Sequence, residues 1–137
     1  MKAPSNLKHK PIISVNDYDK IDGSFANKTD VRALSIGEAQ YGKNEISLKV
    51  WRHTGQKWSR QNEEIPIHRN IDLTILLLKS LMTNINPENL KTRLTGEIID
   101  TNKVKLIDDY YQNNKQYLQP RLEELKIILD NFLSAKI

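Results

Sequence analysis

The residues best suited to acid–base or metal chemistry are three histidines, His9, His53 and His68, and the adjacent pair Glu63-Glu64. His53 and His68 bracket the two glutamates, so a hairpin folded between them would bring imidazole and carboxylate groups together. Metal centres of the zinc type place their ligands at short fixed spacings such as HExxH or His-x-His, and neither pattern occurs. No metal and no cofactor are therefore expected. His68, beside Arg69 where a helix should begin, reads as a helix-entry or interface residue. Glu45 and Lys49 lack the single-residue spacing of a carboxylate–lysine nuclease core. No phosphate-cradling glycine loop and no GxSxG elbow is present, and the absence of cysteine removes thiol nucleophiles and disulfides. A hydrolase or nuclease using His53, His68 and Glu64 ranks third among the readings, and the balance leans away from an enzyme.

Recognition is better supported. The stretch ISLKVWRHTGQKWSRQNEEIPIHR, Ile46 to Arg69, concentrates both tryptophans with Lys49, Arg52, Lys57 and Arg60. Side chains alternate along a strand, so Ile46, Leu48 and Val50 should face a core while Ser47, Lys49, Trp51 and His53 face outward. Trp51 and Trp58 would then stand on the two arms of a hairpin turning at Thr54-Gly55. Aromatic rings among cations suit single-stranded DNA or RNA, since bases stack on rings and Lys/Arg neutralise phosphates. Lys49, Trp51, Arg52, Lys57, Trp58 and Arg60 are the candidate nucleic-acid contacts. The competing readings are a protein-interaction module using the Trp51/Trp58 hairpin, and a cross-strand aromatic pair that only stabilises it.

Composition bounds these readings. The 137 residues, 38% hydrophobic and 28% charged, suit one globular domain, residues 1–137, with a sheet and first helix over 1–83 and a connector with C-terminal helices over 84–137. The formal charge of +4 lies wholly in the first half: residues 1–70 carry 12 Lys/Arg against 8 Asp/Glu, and 71–137 carry 9 against 9. No signal-like or membrane-length apolar run is visible, so a cytoplasmic protein without membrane association is expected.

The elements that must position these residues follow from periodicity. PIISV within Lys10–Val15, the alternating Ala33–Tyr41, Glu45–His53 and Ile65-Pro66-Ile67 predict short strands, with a polar return segment Lys57–Asn62 and turns at Asp22-Gly23 and Tyr41-Gly42-Lys43-Asn44. From Asn70 the period becomes helical: Ile71, Ile75, Leu78 and Met82 mark one side, and Leu73, Leu76, Leu77 and Leu81 another. A helix so apolar needs burial on two sides: one can cover the sheet, and the other needs either the C-terminal helices or a second copy of the chain, a homodimer through Ile71–Met82. Two further helices follow, over Val104–Leu118 and Leu122–Leu133, with a break at Pro120. The fold class is α+β: a small antiparallel meander of three to five strands, then a long apolar helix and two C-terminal helices.

The order LSIGEAQY, EISLKVWRHT, QKWSRQNEE, IPIH, IDLTILLLKSLM, residues 33–83, is similar to the positive-cofactor-four type of single-stranded DNA-binding domain. That resemblance implies a dimer contacting DNA through Lys49, Trp51, Arg52, Lys57, Trp58 and Arg60. Over most of its length the chain also resembles a bacterial family known as a domain of unknown function, which implies no activity.

Overall fold

The computed structural model describes residues 1–59, 63–82 and 92–136. Four strands, β1 (Lys10–Asn16), β2 (Val31–Glu38), β3 (Ile46–Arg52) and β4 (Glu63–Pro66), form an antiparallel sheet in sequence order. Three helices follow, α1 (Ile67–Met82), α2 (Val104–Asn113) and α3 (Lys115–Lys136). This is the α+β meander that the alternation predicts. Two compact units emerge, Met1–Leu77 and Leu78–Ile137. No helix among the described residues is long and apolar enough to cross a membrane.

Register fixes which residues share a face. Leu34 pairs with Val50, Ile36 with Leu48, and Leu48 with Ile65, while Ile13 and Val15 of β1 oppose Ile36 and Leu34. Ala33, Ser35 and Gly37 lie opposite Trp51, Lys49 and Ser47 on the other face. The β1–β2 ladder slips by one residue between Pro11 and Ile13, and Ile12 is the extra residue. The β2–β3 turn closes through Ala39 N–H to the Glu45 carbonyl, with Asn44 at φ 65°. Asp17–Asp30, between β1 and β2, is built from two single turns of 3₁₀ helix, Tyr18–Lys20 and Gly23–Phe25. It is pinned by the buried Asp19, which accepts from Arg32 Nη1 at 3.0 Å.

Some expectations need correction. The polar segment after Gly55 makes only a single bridge, Trp58 to His53, before Arg60–Asn62, which lie outside the described residues. β4 ends at Pro66 and α1 starts at once with Ile67, three residues earlier than the periodicity suggests. With His68, Arg69, Asn70, Asp72 and Lys79 among its 16 residues, α1 is not a long apolar helix. Most of the connector expected over residues 84–96 falls at 83–91, outside the described residues.

In the second unit, Asp100 accepts from Asn102 N–H ahead of α2, and the Asn114 N–H closes α2 on the Tyr110 and Tyr111 carbonyls. The helix break lies at Asn114, and Pro120 sits inside α3. Only its sixth residue, Pro120 deprives a single first-turn carbonyl of its donor, which a helix end tolerates better than its middle. Arg121 Nη1 donates to the Tyr117 carbonyl beside it at 2.8 Å.

Gly37 lets β1 approach β2. A Cβ there would fall on the Lys10 carbonyl oxygen and within 2.8 Å of Pro11 Cα, both backbone. Because backbone cannot swing aside as a side chain does, Gly37→Ala should cost roughly 2 kcal/mol, read as a lower urea midpoint with an unchanged m-value.

Candidate functional site

One face of the sheet is closed. Val31, Ala33, Ser35 and Gly37 of β2 and Ser47 and Trp51 of β3 are all buried, Trp51 to 1% exposure. The side predicted to face outward is therefore the interior, and Ile46, Leu48 and Val50, predicted to face the core, are on the more open side. Hydropathy points the wrong way because this interior is held by hydrogen bonds rather than by aliphatic packing.

Its centre is His9, fully buried just ahead of β1. The imidazole Nε2 lies 3.0 Å from Ser35 Oγ, and Nδ1 lies 2.9 Å from Ser47 Oγ and 3.0 Å from Glu64 Oε1. Ser47 Oγ donates to Glu64 Oε1 at 2.6 Å, the Gln40 N–H donates to the same oxygen at 3.1 Å, and Trp51 Nε1 donates to Ser35 Oγ at 2.8 Å. One proton arrangement satisfies this set. Trp51 occupies a lone pair of Ser35, whose own proton goes to His9 Nε2, and the Nδ1 proton goes to Glu64. Every strand contributes or is flanked by a member: His9 leads into β1, Ser35 sits on β2, Ser47 and Trp51 on β3, and Glu64 on β4.

Rings close the cluster. The Trp51 indole meets His9 edge-on at 5.7 Å and Trp58 at 5.8 Å, and Trp58 meets His53 at 5.0 Å. Lys49 Nζ lies 4.2 Å from the Trp51 ring centroid, a cation–π contact. The hairpin end is locked by Thr54, whose Oγ1 accepts from the Lys57 N–H, and by Gly55, whose N–H donates to His53 Nδ1 at 3.0 Å. Gly55 has φ 99°, a conformation that favours glycine.

The Ser35–His9–Glu64 order is that of a hydrolase relay: hydroxyl on one ring nitrogen, carboxylate on the other. The serine and imidazole are buried, and the Trp51 N–H already engages the oxygen that would attack. Among the described residues, no group of three or more His, Asp or Glu side chains could hold a metal ion. Glu64, expected to work with His53 and His68, has His9 as its imidazole partner; His53 meets Trp58 and Gly55 instead, and His68 is exposed in the first turn of α1.

Of the predicted nucleic-acid contacts, Lys49, Trp51 and Trp58 are brought together. Arg52 bonds Asp30 through Nη1 at 2.5 Å and Glu63 through Nε, so two carboxylates answer its charge. Burial pulls the Lys49 ammonium below the usual lysine range, against the opposing pull of Glu64. Lys57 is exposed, Trp58 half-buried and Trp51 enclosed; Arg60 lies outside the described residues. Sequence reasoning counted His9 only as one of three histidines and did not join it to Ser35 and Ser47. The available signal was that Ser47 shares a strand face with Trp51, where small hydroxyls give an indole N–H a partner.

The opposite face is aliphatic. Leu34, Ile36, Leu48, Val50 and Ile65, with Ile13 and Val15 at the β1 edge, line a shallow groove of about 320 Å³. Ile13 is 67% exposed and Val15 47%. Among the groove's lining residues α1 supplies Asn70 alone.

Burial pushes the Glu64 carboxyl up, but hydrogen bonds from Ser47, His9 and the Gln40 backbone outweigh it and hold the group below the usual range. A depressed carboxylate contributes stability that is complete above its unfolded-state value and is lost as pH falls through the folded-state one. Urea stability should therefore decline below about pH 4, and Glu64→Gln should flatten that acid-side loss. His9→Leu, which removes one donor from a buried carboxylate and leaves Ser35 without its acceptor, should cost about 2 kcal/mol at neutral pH.

The model of a family of unknown function, DUF6530, matches residues 1–88, a span that takes in the whole His9 cluster, the aliphatic face and α1. No curated protein and no solved structure matches the chain. By that match across well over half its length, the chain belongs to the DUF6530 family.

Proposed function

We propose that this chain is a non-enzymatic protein-interaction module that docks through the aliphatic face of its sheet. The observation that carries the reading is the inversion of the two faces: hydrogen bonds close the polar one, while branched aliphatic side chains line an open groove on the other. Contiguous exposed apolar surface of this kind marks an interaction site more often than a free monomer surface. The Trp51/Trp58 hairpin supports that surface from behind instead of forming it. Homodimerisation through Ile71–Met82 fits the same reading, since Ile71, Leu76 and Leu77 are about half exposed. Single-stranded nucleic-acid binding, as the positive-cofactor-four resemblance implies, is the second reading. It rests on the exposed Lys57 beside the half-buried Trp58.

Light scattering and titration with a leucine-rich amphipathic helical peptide should reveal association that is insensitive to salt. Ile13→Asp, at a side chain the fold leaves largely exposed, should abolish it while urea stability is kept. If that variant associates as the native chain does, or neither associates at all, the docking reading is wrong. An oligonucleotide that binds with steep salt dependence, and is lost in Lys57→Ala and Trp58→Ala, would put the second reading in its place.

A further inference from the structure

We infer that the occupant of the aliphatic sheet face is α1 of a second copy of this chain, and that the protein is a reciprocal dimer in which the copies exchange α1. The inference rests on the docking reading above and adds the partner.

The first support is the junction. β4 ends at Pro66 and α1 begins at Ile67, with no residue between them. Connections between strands and helices that fold back on one another usually take about two to six residues. Pro66 also fixes its own φ, so the joint is stiff as well as short. A helix leaving a strand this way has little length in which to turn back over its own sheet. The groove shows the consequence: only Asn70, in the first turn of α1, reaches its rim, while Ile71, Leu73, Leu76 and Leu77 remain about half exposed. A connection too short for the intramolecular contact is the condition under which identical chains exchange an element.

The second support is complementarity within one chain. The sheet face is only partly covered, α1 leaves apolar side chains half exposed as far as Leu77, and both surfaces are aliphatic. At about 1.5 Å per residue the 16-residue helix is about 24 Å long, matching the roughly 23 Å of a seven-residue strand such as β1 or β3. An exchange about a two-fold axis forms the contact twice. Seven aliphatic side chains on the sheet face and the five exposed ones on α1 between Ile67 and Leu77, each set used in both copies, suit an interface of standard size, roughly 800 Å² per partner.

The native chain at tens of micromolar should show twice the mass of one copy by light scattering. A Leu48→Cys/Leu73→Cys variant, in a chain with no other cysteine, should form disulfides between chains on mild oxidation. Inserting about four Gly/Ser residues between Pro66 and Ile67 gives the connection the length it lacks. That variant should become a monomer with the helix content of the native chain by circular dichroism. A monomeric native mass overturns the exchange, as does a dimer whose cysteine pair fails to link chains or links only within one. Should the insertion variant fail to fold, the cysteine pair still decides. A native monomer that takes up the helical peptide in an Ile13-dependent way overturns the exchange and leaves the docking reading standing; one that takes up neither peptide nor copy overturns both.

Discussion

Everything in the first unit depends on one imidazole. His9 is the group that the four strands share: Ser35 from β2, Ser47 from β3 and Glu64 from β4 converge on its two nitrogens, and its own backbone leads directly into β1. A neutral imidazole presents one donor and one acceptor on opposite sides of a flat ring. It therefore suits the space between a carboxylate on one strand and a hydroxyl on another. Buried polar groups are costly unless every one is paired, so the cluster rewards one arrangement of the sheet and penalises the rest. Leu or Phe at position 9 would fill the space without specifying the register.

This interior also explains the unusual division of the sheet. In most half-buried sheets the aliphatic residues lie inward and the polar residues meet water. Here the inward residues Ala33, Ser35, Gly37 and Ser47 are small, Gly37 lets the β1 backbone at Lys10 and Pro11 come close, and Trp51 supplies the bulk. The inward face is narrow and directional, and the aliphatic side chains are left for the other face. The internal order of the sheet therefore does not draw on those aliphatic residues.

The alternation of Leu34, Ile36, Leu48 and Val50 was enough to locate β2 and β3 and to predict that these four share a side, because the strand period is two. It could not say which side is the interior. Periodicity sorts residues into two sets, and hydropathy then labels the sets only when the core is aliphatic. The hydrogen bonds that decide the matter join His9 to residues 26, 38 and 55 positions away, a distance at which no local pattern operates. Pro120 failed as a helix break for a related reason: its effect depends on how many carbonyls stand upstream, and therefore on where α3 starts. The Asp22-Gly23 turn and the β2–β3 hairpin were legible because their constraints are local, in backbone dihedrals that particular residues tolerate.

The two faces are mechanically joined at β4. Glu64 is drawn into the polar cluster by His9, Ser47 and the Gln40 N–H, Ile65 consequently points to the aliphatic side, and Pro66 and Ile67 follow with no slack. The hydrogen bonds of one face thus hold the strand from which α1 leaves. If Glu64 were not anchored, β4, only four residues long and at the sheet edge, could slip by one position. A one-residue slip would move Ile65 to the closed side and place Glu64 among Leu48 and Val50, because side-chain direction alternates with every residue. A carboxylate among those aliphatic side chains would have none of the partners it now has, so the desolvation cost opposes the slip. The cluster around His9 therefore preserves the aliphatic surface without touching it, and the stiffness of the Pro66–Ile67 joint is useful only because Glu64 holds the strand before it in place.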